Sequence, residues 1–299
     1  MLPNFLVVGA AKSGTTSLYN YLKQHPDIYM SPVKEPYFFS FINEQVVLKG
    51  PHDAKTQEGI ISDLNEYKRL FSAVKNEKAI GECSNSYLYF YEKSSRNIKR
   101  FIPQCKIIII LRNPVERTFS HYTQHKMIGH ENLSFRNALE KEKEREIAGW
   151  RWHYQYIGQS MYYNQVKWYM ENFGKENVRV FLFEELKNGP LKLMEEIFNF
   201  LKVSNFNISN YDKAFNISGE PRIKILHNLL INKENNNIKN ISKIFPKAYR
   251  RKVYDYIFKK NIGRIEMTKE DKQYLKVIFR DDIINLQSLI NKNLSAWLS

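Results

Sequence analysis

The stretch Phe5-Leu6-Val7-Val8-Gly9-Ala10-Ala11-Lys12-Ser13-Gly14-Thr15-Thr16-Ser17-Leu18 limits the fold more than any other part of the chain. An apolar run of β type feeds a Gly/Lys/Ser/Thr turn, and apolar spacing resumes at Leu18, Tyr21 and Leu22 as a helix requires. Strand, tight loop and helix start together make an anion site. The first helical N–H groups lack partners and the helix dipole favours negative charge there. The spacing Gly9-x4-Gly14 imitates a nucleotide-triphosphate P-loop, but Thr15 stands where that loop has its lysine, and Lys12 lies inside the turn instead. An ammonium placed earlier in the loop is aimed elsewhere than at a γ-phosphate, and no downstream apolar strand ends in a Walker-B aspartate. An ATP- or GTP-dependent kinase is thereby disfavoured but stays open.

The rest of the chain alternates in the same way. Residues 4–9 are expected as a first strand, buried on both faces because its apolar residues run in succession, and residues 14–24 as the helix after it. Short strands are expected at Asp27–Met30 and Lys78–Ser84, with helices at Asp63–Val74 and up to about Phe101. Lys106-Ile107-Ile108-Ile109-Ile110-Leu111 is the clearest strand, a β-branched run without a polar break, and Pro114 then suits a first helical turn. These strand–helix alternations imply an α/β fold with a P-loop-like central parallel β-sheet flanked by helices. Lys12, Ser84 and Arg112 all follow strand ends, the rim on which such sheets bind ligands.

Beyond Gly129 helices dominate. Ser134 is expected to cap a helix through Ala148, followed by Met161–Phe173, a last strand at Val178–Phe183, a helix at Pro190–Leu201 and a basic helical tail closing at Leu286–Leu298. The Glu140–Glu146 charge run reads as a solvated helix face with i,i+4 pairs, and residues 41–60 as a polar surface loop able to help cover a ligand. With no repeat and no flexible linker, residues 1–299 read as a single domain: an α/β core to about 205, then a loop and helical cap over about 206–299.

Lys12-Ser13-Gly14-Thr15-Thr16-Ser17-Leu18, then His25-Pro26 and Lys34-Glu35-Pro36-Tyr37-Phe38-Phe39, resembles the PAPS-dependent sulfotransferase family, closest to its bacterial members and to the heparan-type carbohydrate sulfotransferases. Arg112-Asn113-Pro114-Val115-Glu116-Arg117-Thr118-Phe119-Ser120-His121-Tyr122 resembles that family's 3′-phosphate element. The resemblance implies a sulfotransferase domain that uses 3′-phosphoadenosine 5′-phosphosulfate (PAPS) and needs no metal. Lys12, Ser13, Gly14, Thr15, Thr16 and Ser17 would hold its 5′-phosphosulfate, and Arg112 and Ser120 its 3′-phosphate. The turn Asn216–Arg222 resembles a later family loop that closes over the adenosine, with Ser218, Gly219 and Arg222 as contacts.

Lys12 suits neutralisation of charge developing on the leaving phosphate. Glu35 matches the family's glutamate and would take the proton of an acceptor hydroxyl or amine. Lys34, Ser84, Tyr87 and His121 are further candidates for the acceptor side, with an interior packing role open for Tyr87 and His121. Arg117 reads as a structural ion-pair partner. Cys83 stands where heparan-type enzymes carry a second lysine, which favours the bacterial branch.

The net charge of +15 makes the partners anionic without separating nucleic acid, acidic lipid, polyanionic glycan and nucleotide; the resemblance implies a nucleotide donor and, at the acceptor side, a sugar or glycan. The basic tail suits peripheral contact with a membrane or anionic glycan. No nucleic-acid module is recognisable, so nucleic acid is not an expected partner. A non-catalytic polyanion-binding protein is the remaining alternative. Cys83 and Cys105 give no disulfide framework, the histidines show no metal-ligand spacing, and the first apolar run is too short for a signal core; a cytoplasmic protein without a metal site is the expectation.

Overall fold

The computed structural model describes residues 1–209, 220–221, 262–263 and 265–299. Five strands form one parallel sheet in the order β2 (Ile28–Met30), β3 (Ala79–Cys83), β1 (Phe5–Gly9), β4 (Lys106–Leu111) and β5 (Val178–Leu182). The central strand β1 pairs with β3 from Phe5–Gly81 to Val7–Cys83, and with β4 from Phe5–Lys106 onward. The remaining short pair, β6 (Glu220–Pro221) with β7 (Ile262–Gly263), is antiparallel.

The apolar runs follow from burial on both sides. Leu6, Val8, Ile107 and Ile109 enter one hydrophobic core, and Phe5, Val7, Ile108 and Ile110 enter the other. Phe5 is admitted beside β3 only because its neighbour is Gly81: a Cβ there would lie 2.2 Å from the Phe5 ring.

The first helices in chain order are α1 (Thr15–Leu22), α2 (Ala54–Glu58), α3 (Leu64–Arg69), α4 (Ser86–Tyr89), α5 (Tyr91–Phe101) and α6 (Pro114–Met127). After them come α7 (Phe135–Glu140), α8 (Glu142–Ile147), α9 (Tyr162–Phe173), α10 (Phe183–Asn188), α11 (Pro190–Leu201), α12 (Lys269–Ile290) and α13 (Ser295–Leu298). α1 and α11 supply Leu18, Leu22, Ile197 and Phe198 to one core; α5, α9 and α12 supply Ile98, Val166 and Phe279 to the other. The C-terminal helix therefore shares the core of the first half of the chain. α6 starts as its sequence requires, with Pro114 in the first turn and Asn113 Oδ1 accepting from Val115 N at 3.0 Å.

α12 also supplies a cap to another helix. Asp282 accepts from Tyr162 N at 2.9 Å and Tyr163 N at 3.0 Å, two N–H groups of the first turn of α9 that no carbonyl reaches. Burial raises its carboxyl to about 6, against the pull of those two bonds. Asp282→Ala is expected to destabilise the fold by about 1–2 kcal/mol in urea unfolding, with nucleotide binding unchanged; an unaltered midpoint would show that the cap contributes nothing.

Two expectations are corrected. The helix from Ser134 to Ala148 is broken at Lys141, because Glu142 turns inward to accept from Ile157 N (2.7 Å) and Gly158 N (3.4 Å). The Glu140–Glu146 run is accordingly not a uniformly solvated face: Glu142 and Arg145 are buried, and only Lys141 and Glu144 pair along its outside. The loop 41–60 is anchored by the wholly buried Asp53, which pairs with Arg151 Nε at 3.1 Å and accepts from Arg151 N at 2.9 Å.

Candidate active site

The C-terminal ends of β1 and β3 meet where the strand order reverses about β1, and a cavity of about 310 Å³ opens there. One side of it is the loop between β1 and α1, contributing Lys12, Gly14, Thr15 and Thr16. Gly14 stands at φ 88°, and a Cβ on it would meet Leu186 at 2.6 Å, so glycine is required by both backbone and space. α1 then begins, leaving the N–H groups of its first turn as donors without helical acceptors.

Lys12 itself has φ 67°, a left-handed conformation costing about 1 kcal/mol or more for a non-glycine residue. Among the described residues its ammonium has no hydrogen-bond or ion-pair partner. Burial lowers its pKa to about 8, and the nearby Arg112 and Arg117 guanidiniums push in the same direction. A half-buried cation without an acceptor, at a helix start, is an anion site waiting for its counter-charge.

Glu35 and Lys34 form the floor with Tyr37 and Asn85. Lys34 Nζ donates to Glu35 Oε1 at 2.8 Å, and Asn85 N donates to Glu35 Oε2 at 2.8 Å. Burial alone would weaken the Lys34 ammonium; Glu35 beside it, with Cys83 and Glu82 behind, outweighs this and raises its pKa above the ordinary lysine range. Glu35 and Tyr37 are also left-handed, at φ 61° and 60°. Their turn is held from β3: Glu35 N donates to Cys83 O at 2.9 Å, and Tyr37 N to Ser84 Oγ at 3.3 Å.

Lys12, Gly14, Thr15, Thr16, Lys34, Glu35 and His121 thus come together on one wall or another of the cavity. Ser13 lies beneath the loop, wholly buried beside the Tyr162 hydroxyl, which donates to Arg112 O at 3.1 Å. Ser17 follows on α1, half-buried and off the cavity wall. Arg112 reaches the loop from β4, with Nη1 donating to Lys12 O at 3.4 Å while Nη2 pairs with Glu116 at 3.0 Å. Ser120 is half-buried on α6 and does not line this cavity. Ser218, Gly219 and Arg222 lie outside the described residues.

The placement of two candidates is corrected. Ser84 and Tyr87 are wholly buried behind the floor, where Ser84 Oγ donates to Glu82 Oε2 at 3.0 Å and Tyr87 Oη accepts from Phe39 N at 3.3 Å. They support the 35–37 turn and do not reach the cavity. Arg117 is no ion-pair partner among the described residues: its Nη2 donates to His121 Nδ1 at 2.7 Å and Tyr156 O at 3.3 Å, and its Nε and Nη1 have no hydrogen-bond acceptor.

The far wall comprises Gln124, His125, His130, Arg151 and His153 together with His121. Only His121 was expected. His121 and His125 share a face of α6 at i,i+4 spacing, which the sequence did show; His130 and His153 arrive from separate loops, and no local pattern marks them.

The sulfotransferase family description matches residues 3–207. The chain belongs to the sulfotransferase family. A solved sulfotransferase from Alicyclobacillus acidocaldarius is 33% identical, with 100% of both chains covered and a TM-score of 0.79. Carbohydrate sulfotransferase 15 of Mus musculus is 30% identical over 150 residues, covering 40% of this chain and 27% of that protein. Bifunctional heparan sulfate N-deacetylase/N-sulfotransferase 1 of Mus musculus is 25% identical over 318 residues, covering 99% of this chain and 31% of that protein. The chain therefore spans less than a third of the length of these two relatives. Its parallel sheet flanked by helices is the sulfotransferase fold expected from the Lys12 loop, and that loop, the 35–37 turn and Arg112 all fall within the matched residues.

Proposed function

We propose that this sulfotransferase moves a sulfuryl group from PAPS to a hydroxyl or amine of a sugar-like acceptor. The observation that carries this reading is Lys12: a half-buried ammonium on the cavity wall, unpartnered among the described residues, next to the free N–H groups of α1. The site fits a phosphosulfate, since its loop offers donors and a cation and no carboxylate. The donor supplies an activated sulfur–oxygen bond to phosphate, broken as the acceptor oxygen or nitrogen bonds to sulfur.

Lys12 would neutralise the charge growing on the leaving phosphate oxygen, with the first turn of α1 fixing that phosphate. Glu35, on the cavity floor, would take the acceptor's proton, and Lys34 would steady both Glu35 and the passing group. Arg112 stands beside the loop as a second cation for the nucleotide. A sugar acceptor is supported by the names of the relatives above.

Calorimetric titration with 3′-phosphoadenosine 5′-phosphate in the absence of metal tests the donor site. Micromolar binding is expected; no binding, together with Mg²⁺-dependent binding of ATP, would replace this reading by that of a kinase. The affinity is also expected to fall as pH rises through about 8. Free Lys12 loses its proton there, whereas the bound phosphate holds it, so binding takes up a proton and is favoured on the acid side. Lys12→Arg should flatten that dependence, and an equally steep fall in this variant would assign it to another group.

A further inference from the structure

His121, His125 and His130 line the cavity wall opposite the loop, with ring centroids 4.8 Å apart for the first two and 6.0 Å apart for the last two. Each has its Nδ1 committed inside the protein. Arg117 Nη2 donates to His121 Nδ1, and Arg151 Nη2 to His130 Nδ1, both at 2.7 Å. A guanidinium has donors only, so these two Nδ1 atoms are acceptors and both rings carry their proton on Nε2.

His125 is set the opposite way by a chain of partners. Arg145 grips Glu131 through bonds of 2.6 and 2.9 Å, which together with the Leu133 amide outweigh burial and keep that carboxyl below the ordinary range. The Tyr156 hydroxyl donates to Glu131 Oε2 at 2.9 Å and so has only a lone pair left for His125 Nδ1, 3.0 Å away. His125 must donate from Nδ1, which leaves its Nε2 bare. A second proton is disfavoured on every ring: burial comes first, and Arg117, Arg151 and Lys12 are the charges that face them, Glu131 being tied to Arg145.

Granting the sulfuryl-transfer reading above, we propose that this wall is the acceptor subsite for an uncharged polyhydroxyl group, such as one face of a neutral sugar ring. His121 and His130 would donate to its hydroxyl oxygens and His125 would accept a hydroxyl proton. Only a group that both donates and accepts satisfies this mixed pattern. A carboxylate or sulfate would set its oxygens against the bare Nε2 of His125, and an ammonium would face two N–H groups, each mismatch leaving buried polar atoms unpaired. Arg151 offers no spare charge for a polyanion, since Asp53, Thr56 Oγ1 and His130 Nδ1 already take it at 3.1, 2.7 and 2.7 Å.

The test is nitrogen NMR of the imidazole rings in protein saturated with 3′-phosphoadenosine 5′-phosphate, followed by titration with maltose and, separately, with a uronate-containing disaccharide. His121 and His130 are expected as Nε2–H tautomers and His125 as the Nδ1–H tautomer, none becoming imidazolium between about pH 5 and 8. Maltose is expected to shift all three at roughly tenfold lower concentration than the uronate. A ring that titrates in that range, the reverse tautomers, tighter or equal response to the uronate, or no response to maltose would overturn the assignment. His125→Phe should abolish the maltose response of the other two rings while His125→Gln, which keeps an acceptor, restores it, with the bisphosphate bound equally in both. Loss of bisphosphate binding in the wild type would defeat the donor reading instead, and would leave the tautomers as found.

Discussion

Lys12→Ala is expected to weaken binding of 3′-phosphoadenosine 5′-phosphate roughly tenfold to a hundredfold, the loss of one charge-assisted contact at about 1.5–3 kcal/mol. The rate of sulfuryl transfer should fall further, by about 10²–10³, because charge on the leaving oxygen is greatest in the transition state. The fold should not suffer. Lysine and alanine pay alike for the left-handed backbone at this position, and the variant no longer holds a partly desolvated ammonium without an acceptor. A melting temperature at or above that of the wild type, with calorimetry showing the weakened site, is the expected pair of results. Undiminished binding and turnover would remove Lys12 from the donor site.

Glu35→Gln is expected to separate chemistry from binding. The amide keeps an oxygen for Asn85 N–H but cannot take the acceptor's proton, so turnover should fall about 10²–10⁴ in single-turnover assays. Donor affinity should be retained or tightened, because Lys34 loses the carboxylate that now occupies it and becomes a free cation on the cavity floor. Full turnover in this variant would exclude Glu35 as the base. A parallel loss of donor binding would instead assign Glu35 to the architecture of the turn.

The sheet and the loop were legible because each is written in adjacent residues. Ile107 to Leu111 could hardly be anything but a strand buried on both faces, and Gly9 to Ser17 carries its own turn and helix start. Ser84 was misplaced because a residue just past a strand end faces either the cavity or the layer beneath, and only the buried Glu82, to which it donates, decides between them. Arg117 illustrates the same gap: His121 stands four residues on along α6, but the carbonyl of Tyr156 arrives only in the folded chain, and neither partner is an anion. The helix expected from Ser134 to Ala148 met a tertiary demand, the amides of Ile157 and Gly158, that outweighed its local preference. The histidine wall was the least visible. Its members come from α6 and two separate loops, and of the groups that set their tautomers only Arg117, four residues before His121, is marked by spacing; Arg151 and Glu131 are not.

The place of β1 at the centre of the sheet carries a consequence for how the protein is made. β1 is synthesised before either of its hydrogen-bond partners, since β3 and β4 are completed only when the chain has passed Cys83 and Leu111. A ribosome will have released the Lys12 loop long before anything exists to hold it, and closing such distant pairings is the slow part of folding. Nascent chains arrested after α3 should therefore show no affinity for the bisphosphate, and those arrested once β4 has cleared the exit tunnel should be the first to gain it. Until then the apolar side chains of β1 lack the native contacts that bury them, a window in which the chain is open to aggregation.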